Sequence, residues 1–113
     1  MKQLTGIAAE CYQSFTLIVG NEEAIINLKY LEVTRQWFFD LEFRGQNIYG
    51  VKLTLGCLHI NNYNFPFDFV VQDTSNSGID PFQIDDFFGG RCILYQITAE
   101  EIATYRGYNV TVS

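Results

Sequence analysis

One histidine and three cysteines are the residues in this chain that could support nucleophilic catalysis or bind a transition metal. The cysteines, Cys11, Cys57 and Cys92, are widely spaced and form no CxxC pair, so together with His59 they make a poor zinc-ligand set. No GxSxG sequence or similar nucleophile motif accompanies the histidine. We therefore expect a structural or surface histidine, buried and reduced thiols, and neither a metal nor another cofactor.

The polar segment that starts at Asp73 partly matches a calcium-binding loop. Asp73, Ser75, Ser77 and Gly78 fall on positions one, three, five and six of an EF-hand loop. The twelfth position requires a bidentate Glu but is Ile84, and no helical pattern flanks the segment. The sequence therefore favours a solvated turn held by hydrogen bonds of the Asp and Ser side chains.

Three carboxylates, Asp80, Asp85 and Asp86, follow in the same region, and a pair of carboxylates is what glycoside hydrolysis requires. They lie among phenylalanines, however, and no other polar side chains that could bind a substrate accompany them. These residues therefore do not predict an enzyme. We predict instead a protein interface formed by Phe82, Asp85, Asp86, Phe87 and Phe88. The alternative for one or two of these rings is that they fold back onto the core.

The chain carries thirteen acidic and seven basic residues, which gives a formal net charge of −6 at pH 7. There is no basic stripe, and this argues against sequence-specific nucleic-acid binding and against docking on an anionic membrane. No apolar run approaches the roughly 20 residues of a transmembrane helix, and residues 1–20 do not resemble a signal peptide. Aromatic residues make up 16% of this small chain, so we expect some of them to contact a partner.

Hydrophobic alternation with a period of two dominates the sequence and predicts about six short strands. The segments are 14–19, 24–31, 37–43, 48–55, 65–72 and 91–97. Thr98 and Glu101 form a capping box that predicts a short helix to about Tyr105, with Gly107 as its stop. We therefore expect residues 1–113 to form one mainly β domain, a small antiparallel β-barrel or sandwich of about six strands with a short C-terminal helix.

The alternation also assigns side chains to the two faces of each strand. In 37–43, Asp40 and Glu42 are expected to meet water, and Phe38 is the one ring on their side, so it joins the interface candidates. In 48–55, Tyr49 is expected to share a face with Val51. The other face of 37–43 is expected to be core, and it carries Trp37, Phe39, Leu41 and Phe43.

Four segments carry a resemblance to a known family. They are QSFTLIVGNEEAIINLKY (13–30), the Trp-centred QWFFDLEFRGQNIYGVKLTLG (36–56), FPFDFVVQD (65–73) and DDFFGGRCILYQITAEE (85–101). In this order they resemble the small baseplate plug proteins of contractile-tailed bacteriophages. The resemblance covers about residues 13–101.

The resemblance implies a non-enzymatic structural component of the phage tail baseplate, made in the host cytoplasm and located near the tail axis. It would plug or bridge the tail tube, hub and spike before DNA ejection, in three- or six-fold copies. Two other classes remain open. One is a small carbohydrate- or ligand-binding β-module that uses exposed aromatics. The other is an enzyme accessory or immunity-type protein whose acidic surface mimics or blocks a basic partner.

Overall fold

The structure is a computed structural model, and it describes residues 1–104 of the 113-residue chain. Seven strands account for most of its regular structure: β1 Lys2–Gln3, β2 Tyr12–Val19, β3 Glu22–Leu31, β4 Gln36–Phe43, β5 Gln46–Lys52, β6 Phe67–Asp73 and β7 Cys92–Thr98. A short 3-10 helix covers Asn61–Tyr63, and residues 99–104 are α-helical.

The strands form two antiparallel sheets rather than a closed barrel, within the residues described. The first sheet is a four-stranded meander in the order β2-β3-β4-β5, and the second has the order β1-β7-β6. The predicted mainly β fold is confirmed, in its sandwich form. Each of the six predicted segments corresponds to a strand, but β1 was missed because its two residues pair with Gln96 and Tyr95, far along the chain.

The core lies between the two sheets and is rich in aromatic rings. Phe39 and Phe43 of β4 meet Phe69 and Phe67 of β6 edge to face, with ring centroids 5.3 and 5.0 Å apart. The predicted core face of β4 is confirmed, since Trp37 and Phe39 are fully buried and the other members are at most 2% exposed. One hydrophobic cluster therefore takes side chains from both sheets.

Strand β5 departs from the predicted face pattern because the β4–β5 pair contains a bulge. Asp40 of β4 lies opposite two residues of β5, Tyr49 and Gly50. Gly50 has a φ of 67°, a left-handed conformation that suits glycine, and its N–H donates to Asp40 Oδ1 over 2.8 Å. The inserted residue returns Val51 to the core side but leaves Tyr49 73% exposed. The prediction that these two share a face is therefore wrong.

After β5 the chain passes from the first sheet to the second. Leu53 is buried and donates its N–H to the Trp37 carbonyl over 2.9 Å, and Leu55 forms a single parallel bridge with Val71 of β6. The strand predicted to reach Leu55 therefore ends at Lys52. This crossing joins one edge of the first sheet to an edge of the second.

The helix at 99–104 begins as the capping box predicts. Thr98 N–H donates to Glu101 Oε1 over 3.0 Å, and Glu101 N–H donates to Thr98 Oγ1 over 3.3 Å. The predicted helix end at Tyr105 and stop at Gly107 lie outside the described residues. Within residues 1–104, no helix combines the length and hydrophobicity needed to cross a membrane.

Candidate assembly surface

The β6–β7 loop, residues 74–91, carries five of the six predicted interface residues, and its first turn is held by Asp73. Asp73 Oδ1 accepts hydrogen bonds from the N–H and hydroxyl of Ser75 at 2.9 and 2.6 Å. Asp73 Oδ2 accepts from the Ser77 hydroxyl at 2.6 Å and the Gly78 N–H at 2.9 Å. The Ser75 and Ser77 hydroxyls hold the pKa of Asp73 well below its ordinary value. The predicted turn with Asx and Ser hydrogen bonds is thereby confirmed.

Asp86 and Arg91 form the main anchor of this loop. Arg91 Nε and Nη2 donate to the two carboxylate oxygens of Asp86 over 2.9 and 2.8 Å, a bidentate pair. Asp86 Oδ2 also accepts the N–H groups of Phe82 and Gln83 at 2.7 and 2.8 Å. Burial by itself would raise the pKa of Asp86, but Arg91 and the two N–H groups outweigh it, so the pKa lies below its ordinary value.

The Arg91 guanidinium also donates hydrogen bonds to main-chain carbonyls in the middle of the loop. Nη1 donates to the Ile79 carbonyl over 3.0 Å and Nη2 to the Asp80 carbonyl over 3.1 Å. The guanidinium carbon also lies 5.2 Å from the centre of the Phe82 ring. Sequence reasoning missed this residue. A signal was present, because Arg91 is the one Lys or Arg between Lys52 and Arg106, a segment that contains five aspartates.

The loop is also fastened to the end of the first sheet. Trp37 Nε1–H donates to the Gln83 carbonyl over 2.9 Å, and the Tyr30 hydroxyl donates to the Phe82 carbonyl over 2.8 Å. The Phe87 ring meets Trp37 edge to face, with centroids 5.2 Å apart, and is only 8% exposed. One predicted interface ring therefore folds back onto the core.

Phe88 and Asp85 are the members of the predicted set that this loop exposes. Phe88 is 70% exposed and Asp85 is exposed as well, whereas Asp86 is only 2% exposed and Phe82 is half-buried under Arg91. Phe88 borders a hollow of about 400 Å³ between the loop and residues 3–8. A partner contact at these residues stays a prediction. Because Phe88 is the exposed ring among them, we expect it to lie at the centre of that contact.

Phe38 lies elsewhere, on the outer face of the first sheet. It is half-buried and borders a shallow hollow of about 360 Å³ with Leu31, Tyr49 and the ion pair of Lys29 and Asp40. No residue of the β6–β7 loop lines this hollow, so the structure does not unite Phe38 with the other candidates. Asp40 is 7% exposed, and the expectation that it meets water is wrong because Lys29 and the bulge cover it.

The residues that could have supported chemistry have structural partners. His59 Nδ1–H donates to the Phe69 carbonyl over 2.8 Å and Nε2 accepts the Thr54 N–H at 3.0 Å, which fits a neutral ring. Cys92 is buried, and burial raises the pKa of its thiol to about 11, but Cys11 is exposed, contrary to expectation. Within residues 1–104, no three His, Cys, Asp or Glu side chains converge where a metal ion could bind.

The surface charge is acidic because acidic residues outnumber basic ones and most of the described bases are paired with a carboxylate. Lys29, Arg44, Lys52 and Arg91 each form an ion pair with a carboxylate. Among the described bases this leaves only Lys2 and Arg35 outside an ion pair. Six exposed acids carry no ion pair in this part of the chain, namely Glu10, Glu23, Glu32, Glu42, Asp85 and Glu100.

Comparison with known proteins agrees with the resemblance seen in the sequence. The family described as cyanophage baseplate Pam3 plug gp18 matches residues 1–100, which include all seven strands and the whole β6–β7 loop. No curated protein matches the chain. Since the match covers nearly the whole chain, the protein belongs to the cyanophage baseplate Pam3 plug gp18 family.

Proposed function

We propose that the chain is a non-catalytic structural subunit near the axis of a contractile phage tail, where it plugs or bridges the tube, hub and spike before DNA ejection. Membership of a baseplate plug family makes it a component of the virion tail that contacts other baseplate proteins.

The observation that carries the proposal is a large apolar ring presented by an anchored loop. Phe88 is 70% exposed, whereas the two residues before it, Asp86 and Phe87, are buried and hold the backbone through contacts with Arg91 and Trp37. A loop that is already ordered loses little conformational entropy when it binds, so more of the contact energy remains for affinity. Exposed aromatic side chains of this kind are typical contact points in protein interfaces.

The acidic surface fits a position beside the DNA conduit. Unpaired carboxylates repel the phosphate backbone, so DNA would pass such a subunit without being retained by it. We further propose that residues 1–113 act as one domain, since one hydrophobic cluster joins both sheets. We also propose that this domain assembles in three- or six-fold copies and is made in the host cytoplasm.

Binding to the purified tube, hub and spike proteins encoded beside this chain tests the proposal. We expect the chain to bind at least one of them, and Phe88→Ser to weaken that binding by at least about tenfold. Val33→Ser is the matched control, because Val33 is a 98% exposed apolar residue in the β3–β4 turn and its loss should leave binding unchanged.

Two results would contradict the proposal. The first is failure to bind any of the three tail proteins, and the second is specific binding to a glycan array by the chain alone. The second result would instead favour a carbohydrate-binding module.

A further inference from the structure

The two sheets have four edges, and three of them are closed or too short to pair with another strand. Strand β1 has only two residues. Strand β5 is distorted by the bulge at Gly50. The chain after β5 covers the edge of β6, because Leu55 forms a single parallel bridge with Val71 and His59 Nδ1–H donates to the Phe69 carbonyl. Of the edges in the described part of the chain, only that of β2 remains long and open.

Strand β2 carries none of the residues and irregularities with which proteins usually protect a sheet edge. Its sequence, YQSFTLIV, contains no charged residue, proline or glycine, and its eight pairs with β3 run without a register shift. Natural monomers blunt exposed edges with lysines, prolines, bulges or very short strands, because an unprotected edge pairs with other strands. Of the other three edges, β1 is very short, β5 contains a bulge, and β6 is covered by the chain that follows β5.

The hydrogen-bonding pattern identifies the groups that are open on β2. Tyr30 N–H donates to the Cys11 carbonyl over 2.8 Å, which makes these opposite residues a hydrogen-bonded pair. Because such pairs alternate along an antiparallel ladder, every second residue of β2 turns its N–H and C=O away from β3. These residues are Tyr12, Ser14, Thr16 and Ile18.

The same strand is complementary to a second copy of itself. In an antiparallel pair centred on Phe15, Tyr12 lies opposite Ile18 of the second copy and Ser14 opposite Thr16, so all open N–H and C=O groups find partners. Tyr12 and Ile18 are 59% and 56% exposed, and an aromatic residue across from a β-branched one is a favourable cross-strand pair. No charge on either strand opposes the contact.

We propose that the free protein forms a two-fold dimer in which the β2 strands of two copies pair into one continuous eight-stranded sheet. Such a contact is isologous and closes at two copies. Copies arranged around the tail axis all have the same orientation along it, whereas a two-fold dimer of this kind holds two copies in opposite orientations. The dimer is therefore the form outside the tail, and it protects the β2 edge from unspecific pairing before assembly. The inference rests on the β2 edge and not on the proposed function.

Sedimentation velocity across a concentration series tests the dimer with the chain alone. We expect the mass to rise from one to two copies with increasing concentration, with a dissociation constant on the order of micromolar. Thr16→Pro should remain monomeric, because its N–H points away from β3 and only the open edge loses a donor. Thr16→Val keeps the N–H and should dimerise like the unmodified chain.

A second pair of variants covers the case in which the proline variant fails to fold. Thr16→Lys places a charge at the edge and should abolish the dimer. Ile25→Lys places the same charge directly across on β3, on the same face, and should not. Hydrogen exchange should also slow with concentration at residues 12, 14, 16 and 18, while 13, 15 and 17 stay unchanged.

Three results would overturn the dimer. They are a monomer throughout the concentration series, a dimer that Thr16→Lys leaves intact, and an oligomer of three or more copies. None of these results bears on binding to tail proteins, so the dimer and the proposed function fail or stand separately.

Discussion

Aspartate side chains hold together the segments of this protein that have no strand partner. Asp73 accepts a main-chain N–H group in the first turn of the β6–β7 loop, and Asp86 accepts two in its middle. Asp80 accepts the Leu55 N–H at 3.0 Å, and Asp68 accepts three N–H groups beside His59. At the residue scale, carboxylates therefore replace the ladder bonds that a strand would supply.

Asp86→Asn should show how much the loop depends on its central ion pair. We expect the free energy of unfolding to fall by about 2–4 kcal/mol, because the variant removes the bidentate partner charge of Arg91 in a mostly buried site and leaves only its longer ion pair with Asp73, at 3.5 Å. Thermal unfolding should register this as a Tm lower by about 8 °C or more. Asp85→Asn, one residue away on an exposed side chain, should change stability by less than about 0.5 kcal/mol.

The dependence of this deficit on pH gives a second measurement on the same variant. The pKa of folded Asp86 lies below the value of about 3.9 for an unfolded Asp, so its stabilisation is complete above that pH and is lost as the pH falls through the folded pKa. The gap between the two proteins should therefore narrow in acid. Burial raises the pKa of Asp68, but Asp68 is present in both proteins and cancels in the comparison. A gap that stays constant from neutral to acidic pH would contradict the assignment.

At the element scale, one inserted residue decides which side chains of β5 face the core. The bulge at Gly50 needs a left-handed backbone, and no atom outside the neighbouring residues lies within 4 Å of a Cβ placed there. A side chain at this position therefore costs backbone strain but no steric clash. Sequence periodicity predicted the strand but could not count the extra residue, because the bulge is defined by its partner strand.

Gly50→Ala should lower the free energy of unfolding by about 1–2 kcal/mol, since alanine is strained in the left-handed region. Chemical denaturation measures this directly. Gly50→Asn should cost less, because asparagine tolerates a positive φ better than alanine. An equal loss in the free energy of unfolding for the two variants would show that backbone conformation is not what limits substitution at this position.

At the scale of the whole molecule, the two adjacent rings Phe87 and Phe88 separate folding from assembly. Phe87 packs on Trp37 and is 8% exposed, so Phe87→Ser should destabilise the isolated chain by about 3–5 kcal/mol. Phe88→Ser should change its stability by less than about 0.5 kcal/mol, because the ring is 70% exposed. Urea unfolding of both variants checks this, and a large loss of stability in Phe88→Ser would assign that ring to the core as well.

The sequence by itself determined the local features of this protein. Alternation placed the strands and the core face of β4, the capping box placed the start of the helix, and the order of four segments indicated the family. These features depend on neighbours along the chain, so a local pattern is sufficient to predict them.

The tertiary structure alone decided the features that depend on contacts between distant residues. Trp37 and Phe87 are fifty residues apart in sequence, and their contact buries one ring of the loop while its neighbour Phe88 stays exposed. The short β1, the bulge and the open edge of β2 likewise follow from strand pairing across the chain. Period-two patterns give each strand two faces, but only the packing of the whole molecule determines which face and which edge remain available to a partner.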